Sequence, residues 1–257
     1  MAHSDLFSLQ GRIALVTGGS RGIGRMIAAG FLQAGATVYI SARKAAACNA
    51  TAAELSLLGP CHSMPADVST VEGAQALARA LAAREGRLDI LVNNAGAAWG
   101  APFDEFPESG WDKVLDLNLK APFFLTQALH GLLAKSAETR PAKVINIASI
   151  DGISINPQET YSYAASKAGL IQLTRRMALR LIENNIVVSA IAPGAFASEM
   201  NRDARDRGAE VSARVPAGRV GVDDDMAGAA VYLASRAGDY VVGSTLTVDG
   251  GVTHARG

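Results

Sequence analysis

Short, almost unbroken apolar runs recur along this chain and alternate with longer segments of helical periodicity, and this alternation constrains the fold more than any other feature. A strand that is apolar on both faces must be covered on both, which calls for a parallel sheet with helices packed on either side. The runs expected as strands are Arg12 to Thr17, Thr37 to Ser41, His62 to Ala66, Leu88 to Val92, Val144 to Ala148, Ile186 to Ile191 and Thr245 to Val248. Between them the pattern predicts helices over Gly22 to Gln33, Ala45 to Leu58, Ala74 to Arg84 and Asp223 to Ala234. Two longer helices are expected, one over Pro107 to Lys135 with a disturbance near Pro122, the other carrying Tyr163 and running to about Glu183.

The expectation is therefore one α/β domain over residues 1–257, a Rossmann-type doubly wound parallel sheet of about seven strands. With 49% hydrophobic residues and 26 glycines, the chain can bury a substantial core and make many tight turns. Twenty-four basic residues balance twenty-four acidic ones, so no global field recruits nucleic acid or an anionic membrane, and no basic helix or aromatic-basic repeat suggests otherwise. Cys48 and Cys61 have no CxxC spacing, which points to a reducing, cytoplasmic compartment. Met1 to Gln10 contains no apolar run after a basic start, so neither a signal peptide nor a membrane span is expected. His3, His62, His130 and His254 are dispersed, and no metal site is expected.

In doubly wound sheets ligands bind beyond the carboxyl ends of the strands, where Thr17, Asp67, Asn93, Ser149 and Pro193 all fall. The first strand leads into Thr17-Gly18-Gly19-Ser20-Arg21-Gly22-Ile23-Gly24 and then a helix. Glycines let a backbone approach a phosphate, and the helix start offers unpaired N–H groups and partial positive charge; the plain alternative is a tight connection. No acidic residue stands between Thr37 and Lys44, while Ser41 and Arg43 do. A carboxylate there would bind a ribose 2′-hydroxyl and repel a 2′-phosphate, so its absence favours the phosphorylated dinucleotide, NADPH or NADP, with Arg21 closing on the same group; the alternative is two solvated arginines. Asp67, followed by Val68, either accepts from an adenine amino group or caps the helix starting near Ser69 or Thr70. Asn93-Asn94-Ala95-Gly96 lets a flat cofactor pass close to the main chain.

Tyr163 and Lys167 are four residues apart, hence on one face of a helix, and Ser149 reaches the same point from the end of the preceding strand. The ammonium is expected to favour the phenolate and lower the tyrosine towards neutrality. Tyr161 is the rival, but Ala165 stands four residues after it. Asn118, in an apolar stretch near Pro122, needs partners: backbone carbonyls or a water that would connect Lys167 to solvent. Residues 195–215 read either as a mobile lid offering Phe196 and Met200 to a substrate, with Trp99 nearby, or as a solvated amphipathic surface helix. These groups suit hydride transfer to a carbonyl, with Tyr163 donating the proton, Ser149 binding the oxygen and Lys167 favouring the phenolate and binding the nicotinamide ribose.

Taken together, the glycine turn, Asn93 to Gly96, Asn118, Ser149 with Tyr163 and Lys167, and Pro193-Gly194 resemble the short-chain dehydrogenase/reductase family, over roughly Leu9 to Gly251. The resemblance implies a catalytic tetrad of Asn118, Ser149, Tyr163 and Lys167, with Asn118 holding a relay water. It also implies cofactor contacts at Pro193, Gly194, Phe196 and Ser198, the last standing where the family often has threonine, and a homotetramer. Within the family the chain is similar to 3-oxoacyl thioester reductases acting on small-molecule acyl-thioester or ketone substrates, with sugar, polyol or other secondary-alcohol dehydrogenases as the alternative. A cofactor-binding regulatory protein is the alternative of another class, against which the complete Ser149, Tyr163 and Lys167 set argues. The basic residues with which fatty-acid-synthesis reductases dock a carrier protein are replaced by Gly131 and Leu179, with Arg180 about 100° away around the helix.

Overall fold

The computed structural model describes residues 3–255. The first half contains α1 (His3–Leu6), β1 (Ile13–Thr17), α2 (Gly22–Gln33), β2 (Thr37–Ser41), α3 (Ala45–Leu55), β3 (Cys61–Ser63), α4 (Val71–Ala82) and β4 (Ile90–Asn93). The second half adds α5 (Glu108–Leu115), a π-helical turn (Asp116–Lys120), α6 (Ala121–Ala137), β5 (Ala142–Ile147), α7 (Tyr161–Leu181), β6 (Ile186–Pro193), α8 (Arg202–Asp206), α9 (Gly208–Ser212), α10 (Asp223–Ala234) and β7 (Thr245–Val248). Among the described residues seven strands form one sheet in the order β3-β2-β1-β4-β5-β6-β7, each neighbouring pair parallel. The winding direction reverses between β1 and β4, and the crevice opens at the carboxyl ends of those strands. The expected domain span takes in residues 1–2 and 256–257, which lie outside the described residues.

Alternation along the strands sends side chains to two cores. Ala14 and Val16 join α2, α3 and α10 through Ile27, Phe31, Cys48, Leu55, Met226 and Leu233. Leu15, between them, faces α4, α6 and α7 through Leu77, Leu129, Leu133 and Met177. No helix among the described residues is long and apolar enough to cross a membrane.

Several boundaries differ from expectation for identifiable reasons. The third strand covers Cys61–Ser63 instead of reaching Ala66, although the Met64 and Ala66 N–H groups still donate to the Ile40 and Ala42 carbonyls at 2.9 and 3.2 Å, on either side of Pro65 at the sheet edge. The helix after it begins at Val71, not Ala74, since the Thr70 hydroxyl accepts from Gly73 N–H at 3.0 Å and caps it. The strand expected over Leu88 to Val92 is Ile90–Asn93, and the helix expected to reach Leu58 ends at Leu55. The disturbance expected near Pro122 lies just before it, in the π-helical turn, where Ala121 N–H reaches back to the Asp116 carbonyl. Pro122 cannot serve as the donor that a continuous α-helix would offer to the Asn118 carbonyl. The sixth strand runs past Ile191 to Pro193, which is paired with Val248.

Candidate active site

Thr17 ties the floor of the crevice together. Its buried hydroxyl donates to the Val92 carbonyl (3.2 Å) and accepts from the N–H groups of Asn94 and Ala95, both at 3.0 Å. The Asn94 side-chain amide donates in turn to the carbonyls of Thr17 (2.8 Å) and Gly18 (3.2 Å). A Cβ on Gly18 would stand 2.8 Å from that amide nitrogen, and one on Gly24 closer still. Gly18 and Gly22 also hold φ of +64° and +51°, a region unfavourable to residues with a Cβ. The turn is glycine-rich because Asn94 fills its inside.

The outside of the turn is open for an anion. At the start of α2, Arg21 makes no side-chain cap and the first turn carries no acidic residue, so the terminal N–H groups keep their positive field. Arg21 and Arg43 are exposed, and the Ser41 hydroxyl, buried at the end of β2, has no hydrogen-bond partner among the described residues. Ser20 gives its carbonyl to Thr51 (2.9 Å), while Ile23 and Val68 pack against the two cores. Gly22 lies against Ser198, 3.2 Å from where a Cβ on the glycine would stand. Free N–H groups, two cations and an orphaned hydroxyl, with no carboxylate at the end of β2, fit a dinucleotide with phosphates at both the pyrophosphate and the ribose. Asp67 does not cap the following helix, which has Thr70; its carboxylate accepts from Ser69 N–H at 3.0 Å. Burial raises the Asp67 carboxyl, but the hydrogen bonds from Ser69 and the charge of Arg43 bring it below its ordinary value.

Ser149, Tyr163 and Lys167 meet where β5 hands the chain to α7. Lys167 is 5% exposed; its Nζ donates to the Ile147 carbonyl at 2.7 Å and lies 5.5 Å from the centre of the Tyr163 ring. The expected lowering of the tyrosine is not what these groups produce. Burial pushes the Tyr163 phenol up to about 12, the neighbouring Ser149 hydroxyl pulls it down, and the charge of Asp151 pushes it up. The same burial brings Lys167 down to about 8, Asp151 opposing it, so desolvation is the largest influence on both groups. Tyr161 turns away: its hydroxyl donates to Glu159 at 3.0 Å and its ring packs edge-on against Phe103 and Phe106.

The Asn118 amide bonds to protein groups. It accepts from Ala97 N–H (2.8 Å) and donates to the Ala97 carbonyl (2.9 Å) and the Ser166 hydroxyl (3.0 Å), clamping the segment after β4 to α7. Gly96 leaves room for it, its missing Cβ lying 3.2 Å from the Asn118 oxygen. Phe196 is corrected more sharply: it is 2% exposed, packs against Gly221 and joins the core beside α10, so its ring is unavailable to a substrate. Met200 is 52% exposed. Trp99 packs over Gly110, with the Lys113 ammonium 5.1 Å from its ring centre. Pro193 ends β6, and Gly194 donates to the Val248 carbonyl at 2.9 Å while its Cα faces Asp249.

Beneath the site runs a polar ladder absent from the sequence reading. The Asn93 amide donates to Thr126 (3.2 Å) and Asn146 (2.8 Å), the Asn146 amide donates to Thr174 (2.9 Å), and the two threonine hydroxyls close on the carbonyls of Pro122 and Leu170. It joins α6, β4, β5 and α7, and its only sequence signal is two asparagines in otherwise apolar strands. Asp151, also missed, stands in the short turn Ile150–Gly152 directly after Ser149.

A family model described as enoyl-(acyl carrier protein) reductase matches residues 18–253. The chain is 51% identical over 249 residues to the rhamnolipids biosynthesis 3-oxoacyl-[acyl-carrier-protein] reductase of Pseudomonas aeruginosa, covering 95% of this chain and 97% of that protein. It is 40% identical over 257 residues to the 2-dehydro-3-deoxy-D-gluconate 5-dehydrogenase of Dickeya dadantii, covering 96% and 97% of the two chains. Among solved structures, the Pseudomonas aeruginosa RhlG/NADP active-site complex superposes with a TM-score of 0.93 at 49% identity, over 97% of this chain and 99% of that one. The chain belongs to the short-chain dehydrogenase/reductase family.

Proposed function

We propose that this protein is an NADPH-dependent reductase that converts the keto group of a 3-oxoacyl thioester to the 3-hydroxy product. When bound, the nicotinamide supplies the hydride. Tyr163 gives its proton to the oxygen that becomes the alcohol, Ser149 hydrogen-bonds that oxygen, and Lys167 holds positive charge beside both. The observation that carries the reading is the meeting of Ser149, Tyr163 and Lys167 at the same carboxyl edge of the sheet as the uncapped start of α2. A phenol raised to about 12 keeps its proton at neutral pH, which suits a donor in reduction. Asn118 acts in this reading by fixing the Ala97 segment against α7, and its carbonyl, deprived of an α-helical donor by Pro122, is a place for a relay water.

The turn Thr17 to Gly24, including Ser20, Arg21 and Ile23, would hold the pyrophosphate. Ser41 and Arg43 would take the 2′-phosphate, Asp67 and Val68 the adenine, and Asn94, Ala95, Gly96, Pro193, Gly194 and Ser198 the nicotinamide half, with Phe196 contributing only main chain. The NADP complex of the 49% identical neighbour supports this cofactor. Residues 195–215 serve as the lid, whose α8 and α9 are tied by their own ion pairs, Arg205 to Glu199 and Arg207 to Asp203, both at 2.7 Å. A cytoplasmic homotetramer completes the reading, supported by two free cysteines and by exposed apolar side chains at Leu179 and Tyr240. Gly131 and Leu179 place no cation on the carrier-docking face and Arg180 pairs with Glu183 at 3.1 Å, so the reading stops at the thioester and does not extend to a carrier protein.

The second reading, a sugar-acid dehydrogenase, is favoured by the 40% identical relative. The two separate when NADPH oxidation is followed with acetoacetyl thioesters, longer 3-oxoacyl thioesters and sugar ketones on one preparation. Thioesters should have the highest kcat/KM; a preference for sugar ketones would overturn the proposal.

A further inference from the structure

Asp151 lies two residues beyond Ser149 in the turn Ile150–Gly152, and its N–H donates to the Ser149 hydroxyl at 3.1 Å. The turn is pressed onto α7 at the lysine: a Cβ on Gly152 would stand 2.6 Å from the Lys167 carbonyl carbon and 2.8 Å from the Ala168 nitrogen. This places Asp151 over the corner formed by Ser149 and Lys167. Among the described residues its carboxylate enters no ion pair or hydrogen bond, and the side chain is neither buried nor fully exposed. Its field reaches the site all the same, since it acts on both Tyr163 and Lys167.

A second anion entering this corner meets the Asp151 carboxylate, whose charge the Lys167 ammonium offsets without a direct ion pair, in a partly desolvated crevice where repulsion is several times stronger than in bulk water. A neutral keto substrate meets no such barrier. We propose that Asp151 is a specificity-determining residue, whose carboxylate selects neutral keto substrates over those bearing a carboxylate close to the keto group. The inference rests on the reductase reading above and deepens it. It separates thioesters, uncharged around the keto group, from the corresponding 3-oxo acids, whose free carboxylate stands one methylene away from that group.

The test compares two ketones of the same carbon skeleton: acetoacetate, an anion, and the neutral S-acetoacetyl-N-acetylcysteamine. In Asp151→Asn the ratio of kcat/KM for acetoacetate to that for the thioester should rise about tenfold, and in Asp151→Glu it should stay near the wild-type value. The wild-type enzyme supplies an independent arm: raising ionic strength should raise the same ratio, because salt screens the repulsion. A ratio unmoved within about twofold by both Asp151→Asn and salt would overturn the role of Asp151. That failure is distinct from failure of the reductase reading, in which the wild-type enzyme would not reduce the thioester at all.

Discussion

At the amino end of the strands, Asp89 is 1% exposed and accepts from Ile13 N–H at 2.8 Å and from the Ser136 hydroxyl at 2.6 Å. Arg12 and Arg87 approach the same carboxylate within 3.5 and 3.2 Å, and buried Lys143 meets Asp239 at 2.7 Å. At the carboxyl end, Lys167 is as deeply placed, but its Nζ bonds to a carbonyl, Tyr163 sits beside it, and the Asp151 carboxylate acts on it without an ion pair between them. Both ends bury ionisable groups. One end answers charge with charge, and its carboxylate holds two arginines and two neutral donors at once. The other leaves a phenol pushed up and an ammonium pushed down by burial, offset only in part by the Ser149 hydroxyl and the charge of Asp151. Burial lowers Arg12 and Lys143 as well, but there direct ion pairs oppose it, and the want of such a pair among the described residues at the other end is what separates the proposed reactive end from the structural one.

The comparison can be broken in three places. The largest effect is expected from Tyr163→Phe, which should lower kcat/KM about a thousandfold while NADPH binding, read by fluorescence titration, persists. Turnover near the wild-type rate would remove Tyr163 from the reactive end. Asp89→Ala should act in the opposite way, leaving Arg12 and Arg87 without their carboxylate and destabilising the fold by about 3 kcal/mol in urea unfolding, with the turnover of the folded enzyme little changed. Lost activity at unchanged stability would erase the division between the ends. The smallest effect is expected at the rim, where Arg43→Ala should weaken NADPH roughly tenfold and NADH hardly at all, measured as dissociation constants. Equal losses would mean that Arg43 does not read the 2′-phosphate.

Much of the fold was legible because parallel strands buried on both faces leave apolar runs with sharp edges, as at Thr37–Ser41 and Thr245–Val248, where the expected and observed strands coincide. The glycine turn and the Tyr163–Lys167 spacing were legible for the same reason, since local geometry fixes both. Contacts made across long sequence separations left no such trace. Nothing near Phe196 announces that Gly221, in the next loop, makes room for its ring, so an apolar residue in a polar stretch read as a substrate contact. The direction for Tyr163 differs from the expected one because spacing reports its lysine neighbour but not the desolvation that the surrounding protein imposes on a half-buried phenol. The π-helical turn was seen only as a disturbance, because a hydrogen bond reaching five residues back changes register without changing composition.

The single amide of Asn94 occupies the space that Gly18 and Gly24 leave open, so the glycine turn and the segment after β4 are keyed to each other like two halves of one casting. A designer wishing to transplant this turn into a related scaffold, or to replace it with one recognising another cofactor, would have to carry both segments as a cassette. Swapping the glycines alone would drive a side chain into the amide, and swapping the asparagine alone would leave two carbonyls without their donor.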